Sequence, residues 1–116
     1  MIVYTKHLQR GLTLWPFIFI PEKMKGNKPY LSHEQCHYRQ QGVLMPVFVV
    51  LYILSKKFRF TAEVEAFMAQ IDAELVEWRE LGIDKDRHEY ATFLAKQLSE
   101  QYWGCCTYDE AAAALK

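Results

Sequence analysis

The chain has 116 residues, enough for one domain (1–116) with a modest core. A hydrophobic fraction of 51% with 15% aromatics excludes a disordered polymer. Basic and acidic side chains balance at 14 each, so no net field draws in nucleic acid and a nucleic-acid-binding role has no support.

In chain order, Ile2 to Tyr4 reads as a short strand. Lys6 and Arg10 then precede an apolar run, Leu12 to Ile20, with the outline of a signal peptide. Pro16 interrupts it and no small-residue cleavage site follows, so the run belongs to the fold. Its β-forming residues predict a strand, on a sheet edge or broken at Pro16, because proline cannot donate to a ladder. Such an edge can hold a peptide through main-chain hydrogen bonds. Pro21 to Lys28 is a polar loop.

A first helix is expected from Tyr30 to Gln41, with Ser32 as a cap and Gly42 as its stop or bend. A second is expected from Val43 to Lys57, with Pro46 tolerated in its first turn. The apolar stretch Val43 to Leu54 falls short of the roughly 20 residues that cross a bilayer. A buried core helix is favoured there over contact with a membrane surface, although Lys56, Lys57 and Arg59 follow it. The third helix, Thr61 to Leu81, carries Val64, Phe67, Met68, Ile71, Leu75 and Trp78 at helical spacing. Thr61 is its expected cap. Ala62, Ala66, Ala69 and Ala73 form a ridge of small side chains that lets another helix approach closely. Gly82 ends this helix. The fourth, Asp84 to Tyr102, has Tyr90, Phe93, Leu94, Gln97, Leu98 and Trp103 at core-like positions. The alanine-rich tail, Asp109 to Lys116, predicts a short or frayed helix.

Cys36, Cys105 and Cys106 make an odd count, and the last two are adjacent. They suit no ordinary disulfide framework, which points to a reducing, cytoplasmic setting.

Chemistry concentrates in His33-Glu34-Gln35-Cys36-His37. On a helix, residues four apart share a face, so His33 and His37 can reach one Zn²⁺. Glu34 then lies where a carboxylate can take a proton from a zinc-activated water. Catalytic zinc generally has a third protein ligand. Glu63, Glu65, Asp72, Glu74, His88, Cys105 and Cys106 are the candidates, and Thr61 to Phe67 stands out because it opens a helix with two acids. Helical geometry separates Glu63 from Glu65 only slightly, placing Glu63 nearer the apolar face. Cys36 is read as a small buried residue. Gln40, one turn beyond His37, either steadies a ligand or neighbouring backbone or is a plain polar residue. His88, Tyr90, Tyr102 and Tyr108 are candidates for an oxyanion-stabilising donor.

Over about its first 70 residues the chain resembles small zinc metallopeptidases of phages and bacteria, with a gluzincin-like arrangement. The resemblance lies in the aromatic, Pro-containing N-terminal run, in His33-Glu34-Gln35-Cys36-His37-Tyr38-Arg39-Gln40, in the apolar Val43 to Leu54, and in Glu63-Val64-Glu65-Ala66. It implies an α+β, mostly helical, zincin-like domain with a short N-terminal sheet or hairpin. It implies Zn²⁺ held by His33, His37 and Glu63, Glu34 as general base, and a peptide or protein as substrate. The location would be the host cytoplasm if the protein is phage-encoded. Phe67 departs from the pattern: such a helix often has an Asp there to orient a histidine, a task left to Glu65 or Gln40. The competing reading is a binding or assembly protein whose zinc is structural.

Overall fold

The computed structural model describes residues 1–116. The aromatic N-terminal run splits at Trp15-Pro16 into β2 (Leu12–Leu14) and β3 (Phe17–Pro21), which pair antiparallel. Leu14 stands opposite Phe17, so Pro16 sits in the connection, where its missing N–H costs no ladder bond. β1 (Ile2–Thr5) runs parallel to β3 on its other side, giving the order β1-β3-β2. Ile18 and Ile20 alternate into the interior while Phe17 faces out.

Five helices follow, so the fold is α+β and mostly helical. α1 (Lys28–Gln41) starts earlier than expected. Asn27 caps it, accepting from the Tyr30 N–H, and Pro29 occupies the first turn, where an N–H would lack a helical partner. Ser32 therefore lies inside the helix. Gly42, at φ 52°, ends α1. One 3₁₀ turn leads into α2 (Met45–Leu54). Ser55 then breaks the expected run to Lys57 and caps α3 (Lys56–Leu81), accepting from the Phe58 N–H. Thr61, the expected cap, sits within α3 and donates its hydroxyl to the Lys57 carbonyl at 3.0 Å. Gly82, left-handed at φ 68°, closes α3.

α4 (Arg87–Gln101) begins at the Asp86 cap. α5 (Tyr108–Ala114) begins at a reciprocal Thr107–Glu110 capping box. Of the two expected outcomes for the tail, the short helix is the one observed, and it is anchored: Ala111 and Leu115 are fully buried with Phe67, Ile71, Leu94, Ala95 and Leu98 in the main core. Val64, Met68 and Leu75 pack partly buried against it, as the helical spacing predicted. Phe93 and Trp103 do not join it; both are exposed, and Ala91 and Ala95 fill the α4 face instead.

α2 is not the buried core helix expected from its composition. Only Phe48 is buried, because α2 packs inward on a single side; Met45, Val49 and Tyr52 are half-buried there, and the remaining apolar side chains stand in solvent. No helix is long and apolar enough to cross a membrane.

α1 lies along the small-residue ridge of α3. Cys36 on one helix and Ala62 and Ala66 on the other are all buried. The backbones come close enough for the Gln40 amide to donate to the Ala62 carbonyl at 3.0 Å. Arg59 joins two other helix ends. Its buried guanidinium donates to the carbonyls of Tyr52 (2.7 Å) and Ile53 (3.3 Å) at the end of α2, and to those of Tyr102 (3.0 Å) and Trp103 (3.5 Å) just after α4.

Candidate metal centre

α1 projects His33 and His37 from successive turns toward α3, where Glu63 meets them. His33 Nε2 lies 3.2 Å from Glu63 Oε1, and His37 Nε2 lies 3.1 Å from Glu63 Oε2. All three side chains are buried, and they form a group that could hold a metal ion. The two His–Glu separations are close to the edge of a tetrahedron with arms of about 2.0 Å, and the ligand atoms of all three residues lie within 4.8 Å of one another.

The other ring nitrogens are fixed from outside. Gln40 donates to the Ala62 carbonyl, which can only accept, so its oxygen must face His37 Nδ1, 2.8 Å away. That contact requires a proton on Nδ1. Gln70 Oε1 faces His33 Nδ1 in the same way at 3.0 Å, and its amide nitrogen contacts the Tyr90 hydroxyl at 3.0 Å. In neutral rings so oriented, the Nε2 lone pairs point at carboxylate oxygens. Only a cation between them, a metal ion or a proton, satisfies that arrangement. The residues present therefore fit a divalent metal. Without one, His37 holds the proton: burial disfavours its charged form, but the Glu63 and Glu34 carboxylates outweigh that and raise its pKa to about 9. Burial also opposes the Glu63 charge, and His37 and His33 override it, holding this carboxyl well below the ordinary range.

Glu34, next to His33 on α1, turns toward β2 while staying beside the site. The Thr13 hydroxyl donates to its Oε1 at 2.9 Å, while its Oε2 stands 3.9 Å from His33 Nε2. Gly11 fits here because a Cβ would come within 3.0 Å of Glu34 Cδ and of the Tyr30 hydroxyl oxygen. The site opens into a pocket of about 310 Å³ lined by Gly11 to Leu14, Tyr30, Phe48, Tyr52, Tyr102 and Trp103 among others.

Among the other candidate residues, Glu65 points away and accepts from the buried Cys36 thiol at 3.6 Å. Burial and Glu65 push that thiol up to about 11, so it stays protonated. Cys105 and Cys106 lie beside each other, with Cys105 near the Leu98 carbonyl, and neither joins the His–Glu group. His88 is an exposed first-turn residue of α4. Of the oxyanion candidates only Tyr102 lines the pocket; Tyr90 stands behind Gln70, and His88 and Tyr108 lie at a separate depression. Phe67, where an Asp was the pattern, sets its ring edge against His33 with centroids 4.5 Å apart. Gln40 and Gln70 take over the orienting task, and Glu65 does not.

Two residues of the site, Gln70 and Tyr52, carry no motif in the sequence. Gln70 is seven residues beyond Glu63, two turns along the same face of α3, a spacing that could have found it. Tyr52, whose hydroxyl donates to Glu63 Oε2 at 2.6 Å, was hidden in an apolar run. Burial, then Glu63, drives its pKa upward, keeping it a donor.

The outer edge of β2 is already occupied. Gly11 donates its N–H to the Tyr30 hydroxyl, and the Gln41 side chain accepts from the Trp15 N–H and donates to the Thr13 carbonyl, both at 2.7 Å. A peptide adding there as a strand would have to displace α1 side chains. Comparison with family models, with curated proteins and with solved structures gives no match.

Proposed function

We propose that the chain is a small zinc metallopeptidase of the gluzincin-like kind. What supports this most is one convergence: His33, His37 and Glu63 around a common point, with a second buried carboxylate, Glu34, beside it at a pocket. Two imidazoles and one carboxylate suit Zn²⁺ and leave a coordination position open. When bound, the metal supplies Lewis-acid polarisation of a scissile carbonyl and makes water acidic enough to deprotonate near neutral pH.

The chain's own residues do the rest. Glu34 accepts the proton of the attacking water and delivers it to the leaving nitrogen. Thr13 holds one Glu34 oxygen and leaves the other facing the site. Gln40 and Gln70 keep the histidines in the Nδ1–H tautomer, so that Nε2 serves as ligand. Tyr102 lines the pocket, and burial with the Glu63 and Glu34 charges keeps its hydroxyl protonated, fit to donate to a developing oxyanion. Because α1 side chains occupy the β2 edge, the pocket walls rather than a strand ladder select the peptide.

Glu34→Gln is the test. The variant should bind one Zn²⁺ per chain, keep its fold, and lose peptide hydrolysis mainly in kcat. Unchanged turnover on a substrate found by peptide-library profiling would refute the mechanism.

A further inference from the structure

α2 presents an uninterrupted apolar stripe to solvent. Val47, Val50, Leu51 and Leu54 of α2, with Val43 and Leu44 of the 3₁₀ turn that leads into it, recur at helical spacing and are all exposed, from 43% at Leu51 to 78% at Val43 and Leu54. Soluble surfaces rarely carry a contiguous apolar patch of this kind without a partner. Lys56 and Lys57, both exposed, follow at once. From Gln35 through Ala62 the chain carries Arg39, Lys56, Lys57 and Arg59 and no acidic residue. Trp103, 63% exposed, adjoins α2 through its edge contact with Tyr52.

We propose that this face docks on an anionic lipid bilayer. α2 would lie in the interface plane, its stripe reaching the acyl boundary and Lys56 and Lys57 among the headgroups. Its 10 residues give a length of about 15 Å, which suits lying along the surface and not crossing it. Charge and polarity select this occupant. Two copies meeting at the stripe would bring lysines with no acid to receive them. A protein partner would expect hydrogen-bonding groups, about one per 100–200 Å² of interface. The stripe offers none, since the only side-chain hydroxyl in α2, that of Tyr52, is engaged by Glu63. A bilayer needs only apolar area and positive charge. Trp is also the residue type enriched at the headgroup level.

The inward side of α2 lines the pocket through Phe48, Val49 and Tyr52. Docking therefore sets the pocket beside the lipid surface and favours membrane-associated peptides, a consequence that rests on the peptidase reading.

Vesicle flotation tests the docking without metal or activity, so its failure and that of the peptidase reading are separate results. The full chain is mixed with vesicles of one part phosphatidylglycerol to two parts phosphatidylcholine, or of phosphatidylcholine alone. The wild type should float with the mixed vesicles and much less with the neutral ones, and high salt should release it. Leu44→Asp should abolish flotation. The pair Lys56→Glu and Lys57→Glu should weaken it at least about tenfold. Circular dichroism checks that each variant folds. No flotation of the wild type, or equal flotation of the variants, overturns the proposal. So does a concentration-dependent dimer in sedimentation velocity that Leu44→Asp abolishes.

Discussion

On the proposed reading a metal ion must compete with a proton for the place between His37 and Glu63, and pH should expose the competition. In metal-free protein His37 titrates near 9, against an ordinary 6.5. Zn²⁺ must displace that proton. At pH 7 the displacement should weaken apparent affinity about 100-fold relative to the deprotonated site, one decade for each pH unit below 9. Calorimetric titration in buffers of different ionisation enthalpy should find about one proton released per Zn²⁺ bound at pH 7. The metal-free fold should respond as well. A raised histidine pKa contributes stability that is fully present below 6.5 and lost as pH rises toward 9. A depressed Glu63 pKa contributes stability present above 4.5 and lost as pH falls. Metal-free protein should therefore be most stable between these values. It should lose on the order of 3 kcal/mol by pH 9 through this contact, counted once because both groups share it. Urea unfolding at pH 6 and pH 9, in chelator, measures the loss. Equal stability at the two values, or a zinc affinity flat from pH 6.5 to 8.5 on the same protein, would refute the reasoning.

Glu63→Ala should weaken Zn²⁺ binding far more than Glu65→Ala, as competition with a chromogenic chelator would read; a comparable loss from Glu65→Ala would reject Glu63 as the ligand. Gln40→Leu removes the oxygen that fixes the His37 tautomer and leaves the Ala62 carbonyl without its donor; Zn²⁺ affinity should fall about 10–100-fold, and wild-type affinity would show that Gln40 orients nothing. Gly11→Ala should push back Glu34 or Tyr30, which Thr13 and the Gly11 N–H hold in place, and cost about 1–3 kcal/mol in thermal or urea unfolding. An unchanged midpoint would mean the loop yields freely.

Much of the fold was legible because periodicity survives in a single sequence. The spacing of Phe67, Ile71 and Trp78 located α3 and its buried face, and the break at Pro16 marked where the N-terminal run divides. Helix starts were misread because capping residues compete. Asn27 and Ser55 won over Ser32 and Thr61 by standing before the first turn, with their side chains in reach of an N–H three residues on. The burial of α2 was misread for a different cause: composition reports how apolar a segment is, whereas exposure depends on how many neighbours surround it. Within the site, the helical repeat brought His33 and His37 to one face, but which acid met them depended on the α1–α3 packing. Gln70 meets His33 through that packing and Tyr52 meets Glu63 through the packing of α2 on α3, so neither had a local signature beyond the two-turn spacing of Gln70 from Glu63.

Arg59 has a kinetic consequence. Four carbonyls from two helix ends share one guanidinium, and no carboxylate replaces them if they leave. Peeling α2 away would take two of the four acceptors from a buried charge, so the end of α2 and the segment after α4 should open together. Hydrogen exchange should reveal one cooperative unit there, with amides of the solvent-exposed α2 protected well beyond what its exposure suggests.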